Sequence, residues 1–190
     1  MKKITLFIFL LAASATSFAQ SAWKVDKAHA QLKFDVQHMG LSTVSGSFTD
    51  FDATITSDKP DFSDAKFELT AQATSINTGV GQRDDHLRSP DFFDVATNPT
   101  VSFKSTSLQK VSEGKYKVTG DLTLHGVTKP VTLDLWYRGT ANSPMTKKPV
   151  AGFRVTGSIK RSDFNFGSKF PAAALSEEVT ITADGEFNKQ

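Results

Sequence analysis

Residues 114–138 read GKYKVTGDLTLHGVTKPVTLDLWYR, and this stretch decides the fold class. Tyr116, Val118, Leu122 and Leu124 share one parity, interrupted by Gly120. Beyond His125-Gly126, Val131, Leu133, Leu135 and Tyr137 share another. A period of two on either side of a turn dipeptide predicts a hairpin with one apolar and one wet face. Pro130 sits near the start of the second strand, where a missing N–H is tolerated.

The same alternation recurs outward from that hairpin. Leu32, Phe34 and Val36 alternate with polar residues, as do Phe67, Leu69, Ala71 and Ala73. Phe153, Val155 and Ile159 flank Gly157, and Val179, Ile181 and Ala183 close the series. Eight strands are predicted, near 30–39, 43–57, 63–77, 99–111, 114–125, 127–138, 150–163 and 177–188, separated by turn signals such as Met39-Gly40 and Asn142-Ser143-Pro144. A parity slip between Phe48 and Phe51 predicts a bulge. Only Asn77 to Asp94 breaks the pattern, predicting a short helix and an irregular segment that docks through Phe92 and Phe93. Asp84 and Asp85 near the start of that helix and Arg88 near its end suit its dipole.

Eight antiparallel strands with short connections define an all-β fold, a closed barrel or a sandwich, and their length favours the barrel. Gly46, Gly120 and Gly157 relieve curvature or make room inside. A barrel of this size is filled by its own side chains or holds one small ligand. Phe34, Phe48, Phe67, Phe103 and Phe153 fall on inward parities, but a solid core and a dry pocket use the same residue types, so the residues alone leave both open.

Composition narrows the compartment and the chemistry. The chain has 190 residues, 16 of them Phe and none Cys, which excludes disulfides, thiolate metal sites and cysteine nucleophiles. Lys2 and Lys3, the apolar run from Ile4 to Ala13 and the small residues around Ser17-Phe18-Ala19 predict a secretory signal peptide over 1–19, cleaved before Gln20. The domain is then 20–190, and the expected location is the periplasm. The full chain has 22 Lys and Arg against 20 Asp and Glu, and the leader accounts for the excess of two. A neutral mature surface argues against nucleic acid as a partner.

No G-x-S-x-G, H-E-x-x-H or phosphate-cradling loop is present. The histidines, His29, His38, His86 and His125, form no i, i+2 or i, i+4 pair, so no local metal site is expected. The densest polar cluster is RDDHLRSPDFFD, Arg83 to Asp94. It reads as a loop locked by ion pairs and capping bonds, with a polar gate at a barrel mouth as the alternative. Arg161 and Asp163 read the same way.

Several blocks resemble the YceI family of periplasmic proteins. They are Trp23-Lys24-Val25-Asp26 with His29 and His38-Met39, then Ser75-Ile76-Asn77-Thr78, the Arg83–Asp94 run, NPTVSFKS from Asn98, GDLTLHGVTKPV from Gly120 and GFRVTGSIKRSDF from Gly152. They stand in family order over nearly all the mature chain. Ala30 stands where the family usually has Ser, and Asn165 where Gly is common.

The resemblance implies a lipocalin-like eight-stranded antiparallel barrel with one short helix and an elongated apolar cavity for a polyisoprenoid or similar long lipid. It implies a binding or carrier protein, not an enzyme, without cofactor or metal. The expected wall is Leu32, Phe34, Val36, Phe48, Phe67, Leu69, Phe103, Leu122, Leu124, Leu133, Phe153 and Val155, with His38, Arg83 and His86 as polar contacts near an opening. The expected partner is a long-chain isoprenoid or other lipid, with transient membrane contact and, as for some family members, a homodimer. Two rival readings are a hydrolase or isomerase built from Asp84, Asp85, His86 and His125, and a solid-core stress or interaction protein without ligand.

Overall fold

The computed structural model describes residues 21–190, and the expected leader lies outside the described residues. Ten hydrogen-bonded strands make one antiparallel sheet: β1 Ser21–His38, β2 Ser42–Phe48, β3 Phe51–Ser57, β4 Lys66–Gln72, β5 Ile76–Asn77, β6 Thr100–Ser112, β7 Lys115–Leu124, β8 Val127–Asn142, β9 Pro149–Lys160 and β10 Leu175–Lys189. The sheet order runs β10-β9-β8-β7-β6-β4-β3-β1, and β10 pairs back onto β1. The result is a closed barrel of eight staves. β2 prolongs the β3 stave along β1, and β5 prolongs the β4 stave along β2. Closure leaves no free sheet edge in the ring.

Two details differ from the sequence reading. The first strand starts at Ser21, not near 30. Trp23 and Val25 are buried on one parity and Leu32 on the other. The two parities are joined by an irregularity between Val25 and Ala30, which hides the alternation from a fixed-period reading. The strand expected over 43–57 is divided at Thr49–Asp50, where a simple bulge was expected. On β1, Lys24 pairs with Thr54 and Leu32 with Phe48, so eight steps of β1 lie opposite six of its partner. Both staves bend there, and their pairing is interrupted.

The end of the barrel that holds Ser21 and Lys189 is closed by aromatic packing. Phe62, on the loop between β3 and β4, is buried and sits among Trp23, Tyr137 and Phe153, with ring centroids 5.1, 4.9 and 5.0 Å away. Its φ of +57° is costly for a bulky residue, so the surrounding loop must hold it. Asp64 accepts from Ser57 Oγ at 2.5 Å and from the Asp58 and Lys59 amides. The buried Tyr116 hydroxyl donates to the Asp61 carbonyl. The Asp61 carboxylate takes the Lys110 ammonium at 3.0 Å and the Ser63 amide at 3.1 Å.

The helix α1, Gly81–Arg88, lies at the opposite end of the barrel, beyond β5. Its polar run is locked as the sequence suggested. Asp84 is buried and accepts from the Thr78 amide at 2.8 Å and the Thr78 hydroxyl at 2.5 Å. Arg88 ties α1 to the preceding stave through the carbonyls of Thr74 and Ile76, and it pairs with Asp85 at 2.9 Å.

The Lys110 hydrogen bond, with the Ser63 amide, holds the Asp61 carboxyl down at about 2. A carboxyl that titrates lower in the folded chain stabilises the fold above its ordinary value of 3.8, and that contribution is lost as pH falls toward 2. Asp61→Asn is therefore expected to melt below the parent at pH 7, with the difference closing by pH 2. Thermal unfolding across that range checks it, and a difference that persists unchanged at pH 2 contradicts it.

Candidate functional site

The interior is hollow. A cavity of about 610 Å³ runs inside the barrel, lined by residues from all eight staves, from α1 and from the segment between β9 and β10. Its wall is overwhelmingly aliphatic and aromatic. Many inward residues, including Phe34, Val36, Phe67, Leu69, Phe103, Val155, Val179 and Ile181, are only half-buried although they face away from solvent. Their remaining surface opens on the cavity. The volume falls within the range of about 300–1,000 Å³ typical of small-molecule sites.

The interior glycines fit the same account. A Cβ on Gly46 would lie 2.3 Å from the Phe34 ring, on Gly120 2.5 Å from the Phe103 ring and the Lys104 carbonyl, and on Gly157 2.5 Å from Leu133 Cδ2. Each glycine lets a large neighbour lie flat across the wall, which keeps that side chain out of the lumen. Of the two roles considered for these glycines, making room is the one observed.

The floor of the cavity reaches Phe153, beside the Phe62 plug. Polar residues in the lining at the other end are His38, Ser42, Thr78, Arg83, His86 and Arg161, while Gln31, Lys33, Thr54, Glu68 and Asp184 enter it along the staves. Arg83 donates through Nε to Thr78 Oγ1 at 2.7 Å and through Nη2 to the Thr78 carbonyl at 2.9 Å. Its Nη1 has no hydrogen-bond partner among the described residues. His86 and His38 are exposed, and His86 packs edge-on to Phe92 and Phe170. Phe92 stacks on Phe170, and Phe93 meets Phe48 and Phe166. An aromatic collar with a cationic inner edge therefore surrounds this end.

Arg161 has a different task. It is 3% exposed and donates to the carbonyls of Phe166, Gly167, Phe170, Leu175 and Ser176 while pairing with Glu177 at 2.9 Å. Its five N–H groups are fully engaged by these six acceptors. It frames the segment carrying Phe166 and Phe170 and has no donor left for a ligand. The turn that begins this segment ends at Asn165, whose φ of +53° is the left-handed conformation that Asn tolerates best after Gly. Asp163, by contrast, lies on the surface 3.8 Å from Lys129.

All fifteen residues named from the sequence line this cavity, the twelve of the wall and His38, Arg83 and His86. The sequence reading omitted Phe51 and Ile55, which follow the break between β2 and β3, and Phe187 beyond Ala183 on β10. Continuing the alternation from Ile181 would have found Phe187. Phe166 and Phe170 come from irregular backbone and have no periodic signal.

The residues of the hydrolase reading do not converge. Asp84 is spent on Thr78, Asp85 on Arg88, His86 stands 3.6 Å from Asp91, and His125 Nδ1 faces the Phe164 carbonyl at 3.3 Å. Among the described residues, the cluster with cation-ligand spacing is Asp26, His29 and Glu186 on the outer surface. His29 Nδ1 lies 3.1 Å from Asp26 Oδ2, and that hydrogen bond raises the His29 pKa and lowers that of Asp26.

Fold and site together define a closed antiparallel β-barrel built around an internal apolar cavity. The YceI-like domain matches residues 23–187, and the chain belongs to the YceI family. It is 40% identical over 178 residues to Protein YceI of Escherichia coli O157:H7, covering 93% of this chain and 92% of that one. The crystal structure of the Campylobacter jejuni YceI protein superposes with a TM-score of 0.75 at 30% identity, over 100% of this chain and 99% of that one. A polyisoprenoid-binding domain from Saccharophagus degradans has the same fold, with a TM-score of 0.67 at 17% identity over 90% of this chain and all of that one.

Replacing Arg161 strands five carbonyls and Glu177. Arg161→Ala should cost about 3 kcal/mol or more, because buried polar groups lose their partner. Arg161→Lys should rescue little, since one ammonium cannot span the same fork. Urea unfolding, with limited proteolysis between 161 and 175, measures both effects.

Proposed function

We propose that this chain is a periplasmic binding or carrier protein that holds a polyisoprenoid, an isoprenoid quinone or polyprenyl lipid, or a similar long-chain lipid, without covalent chemistry. The observation that carries this reading is the apolar cavity of about 610 Å³ in a barrel plugged by Phe62 at one end. The polyisoprenoid-binding domain of the same fold supports it, and the leader-like residues 1–19 support the compartment. A lumen this large speaks against the solid-core alternative.

The energetics suit such a ligand. Each buried CH₂ is worth about 0.8 kcal/mol, so about 15 buried carbons supply roughly 12 kcal/mol gross. Ordering a flexible chain and losing its free motion return a large part of that. A branched, partly unsaturated chain is stiffer than an alkane and loses less. The tail lies toward Phe153, and the headgroup stays at the collar near His38, Arg83 and His86. Affinity therefore follows chain length and shape more than headgroup.

Organic extraction of the purified mature protein followed by mass spectrometry, and titration of stripped protein with a long-chain isoprenoid quinone, test the assignment. Phe67→Trp should weaken uptake by tenfold or more with little change in melting temperature, because Phe67 is half-buried and the added bulk projects into the cavity. In a filled core the same change would cost about 1–3 kcal/mol by overpacking. A clean extract together with no uptake would sink the carrier reading.

A further inference from the structure

The open end of the barrel carries large apolar side chains that nothing in the fold uses. The hairpin between β1 and β2 turns through Met39, Gly40 and Leu41, flanked directly by the cavity-lining residues His38 and Ser42. Met39 is 56% exposed and Leu41 83%. Val80, two residues beyond the lining residue Thr78 and just before α1, is 48% exposed. Turn geometry does not explain these choices. Met39 has a φ of +55°, a position where Gly, Asn or Asp is unstrained and a long apolar side chain is not. The tip is nonetheless fixed in place. The Met39 amide donates to the carbonyl of Ala174, another lining residue, and the Leu41 amide donates to His38.

Other exposed apolar residues, Val111, Trp136 and Met145, lie on the half of the barrel sealed by Phe62. None of the three is among the residues that line the cavity, and Arg138 covers the Trp136 ring at 5.0 Å. Among the described residues, the exposed apolar tips next to the polar lining residues of the mouth are Met39, Leu41 and Val80. The cationic residue there, Arg83, keeps Nη1 without a partner among the described residues, and His38 and His86 stand exposed beside it. Apolar tips at the end that carries a guanidinium with an unengaged nitrogen match the boundary of an anionic bilayer, where acyl chains meet phosphates.

We infer that the Met39–Leu41 hairpin tip and Val80 form a membrane-docking rim that seats the mouth of the barrel on an anionic lipid bilayer. This rests on the carrier reading for its purpose, since a long apolar chain then passes from bilayer to lumen without crossing water. The contact is small and transient, because three side chains carry it.

Flotation of the mature protein with ligand-free vesicles of phosphatidylethanolamine and phosphatidylglycerol at 3:1 tests docking by itself. The Met39→Asn, Leu41→Asp double variant keeps the turn, because Asn tolerates the left-handed position. It is expected to lose vesicle binding by tenfold or more, and to take up an isoprenoid quinone from doped vesicles at least tenfold more slowly. Its uptake of the same quinone from cyclodextrin should stay within twofold of the parent. Met145→Asp at the sealed end should change none of these. Equal flotation of parent and double variant, no flotation of the parent, or loss of binding in Met145→Asp each overturns the docking rim. Failure of cyclodextrin uptake by the parent instead strikes at the carrier reading, whatever the vesicles show.

Discussion

Closure of the sheet on itself, through the β1–β10 ladder, governs the rest of the structure. A hydrogen-bonded ring of eight staves fixes the circumference, so the interior cannot shrink to fit whatever side chains point inward. In an open sheet or a sandwich, small inward residues would draw the layers together and erase a void. Here Gly46, Gly120, Gly157, Ala71 and Ala183 face inward, and the ring holds its width. Large neighbours lie flat over three of those glycines. Space that a core would have consumed is left open, and its lining loses dispersion partners that a ligand can supply.

The two ends solve opposite problems with the same residue type. At the sealed end Phe62 inserts among Trp23, Tyr137 and Phe153 in edge-on and tilted contacts, and acids and hydroxyls outside the barrel hold its strained backbone. At the other end Phe92, Phe93, Phe166 and Phe170 surround an opening without filling it. That collar comes from two irregular segments, and each is anchored by an arginine bonded to main-chain carbonyls. Arg88 fixes α1 to the preceding stave, and Arg161 fixes the loop after β9. An arginine used this way spends its donors on the backbone. Arg83, which keeps an unengaged nitrogen, is chemically distinct from both.

How much of this could be read from the chain depends on how regular the backbone is. Where a strand keeps one period, as in β7 to β10, the inward residues follow directly from parity, and Leu122, Leu133, Phe153 and Val155 all line the lumen. Where the backbone is irregular, parity fails. The irregularity between Val25 and Ala30 concealed the first nine residues of β1, and the break at Thr49–Asp50 concealed Phe51 and Ile55. Whether the barrel was hollow could not be read from composition at all. Phe34 over Gly46 would read identically in a packed core. What separates the two is the diameter of the ring, which depends on the register of every ladder at once and on no single segment.

A hollow interior also alters how stability is distributed. The lumen forgoes contacts that a solid core would make, so the ring leans on its hydrogen-bond ladders, on the aromatic seal at one end and on the packed cluster around Ile76, Phe93 and Phe164 at the other. A ligand that fills the lumen restores those contacts only in the folded chain. Saturation at 100 times the dissociation constant would add about 2.7 kcal/mol by mass action. The gain would be felt most around the lumen, where half-buried side chains such as Phe34, Val36 and Phe103 face open space. Loading would therefore stiffen the walls of the lumen. Release from such a barrel requires an acceptor that competes for the same apolar chain, and water is not one. A bilayer or a second apolar pocket meets that requirement, so on the carrier reading the physics that would retain a chain in solution would also set where it could be surrendered.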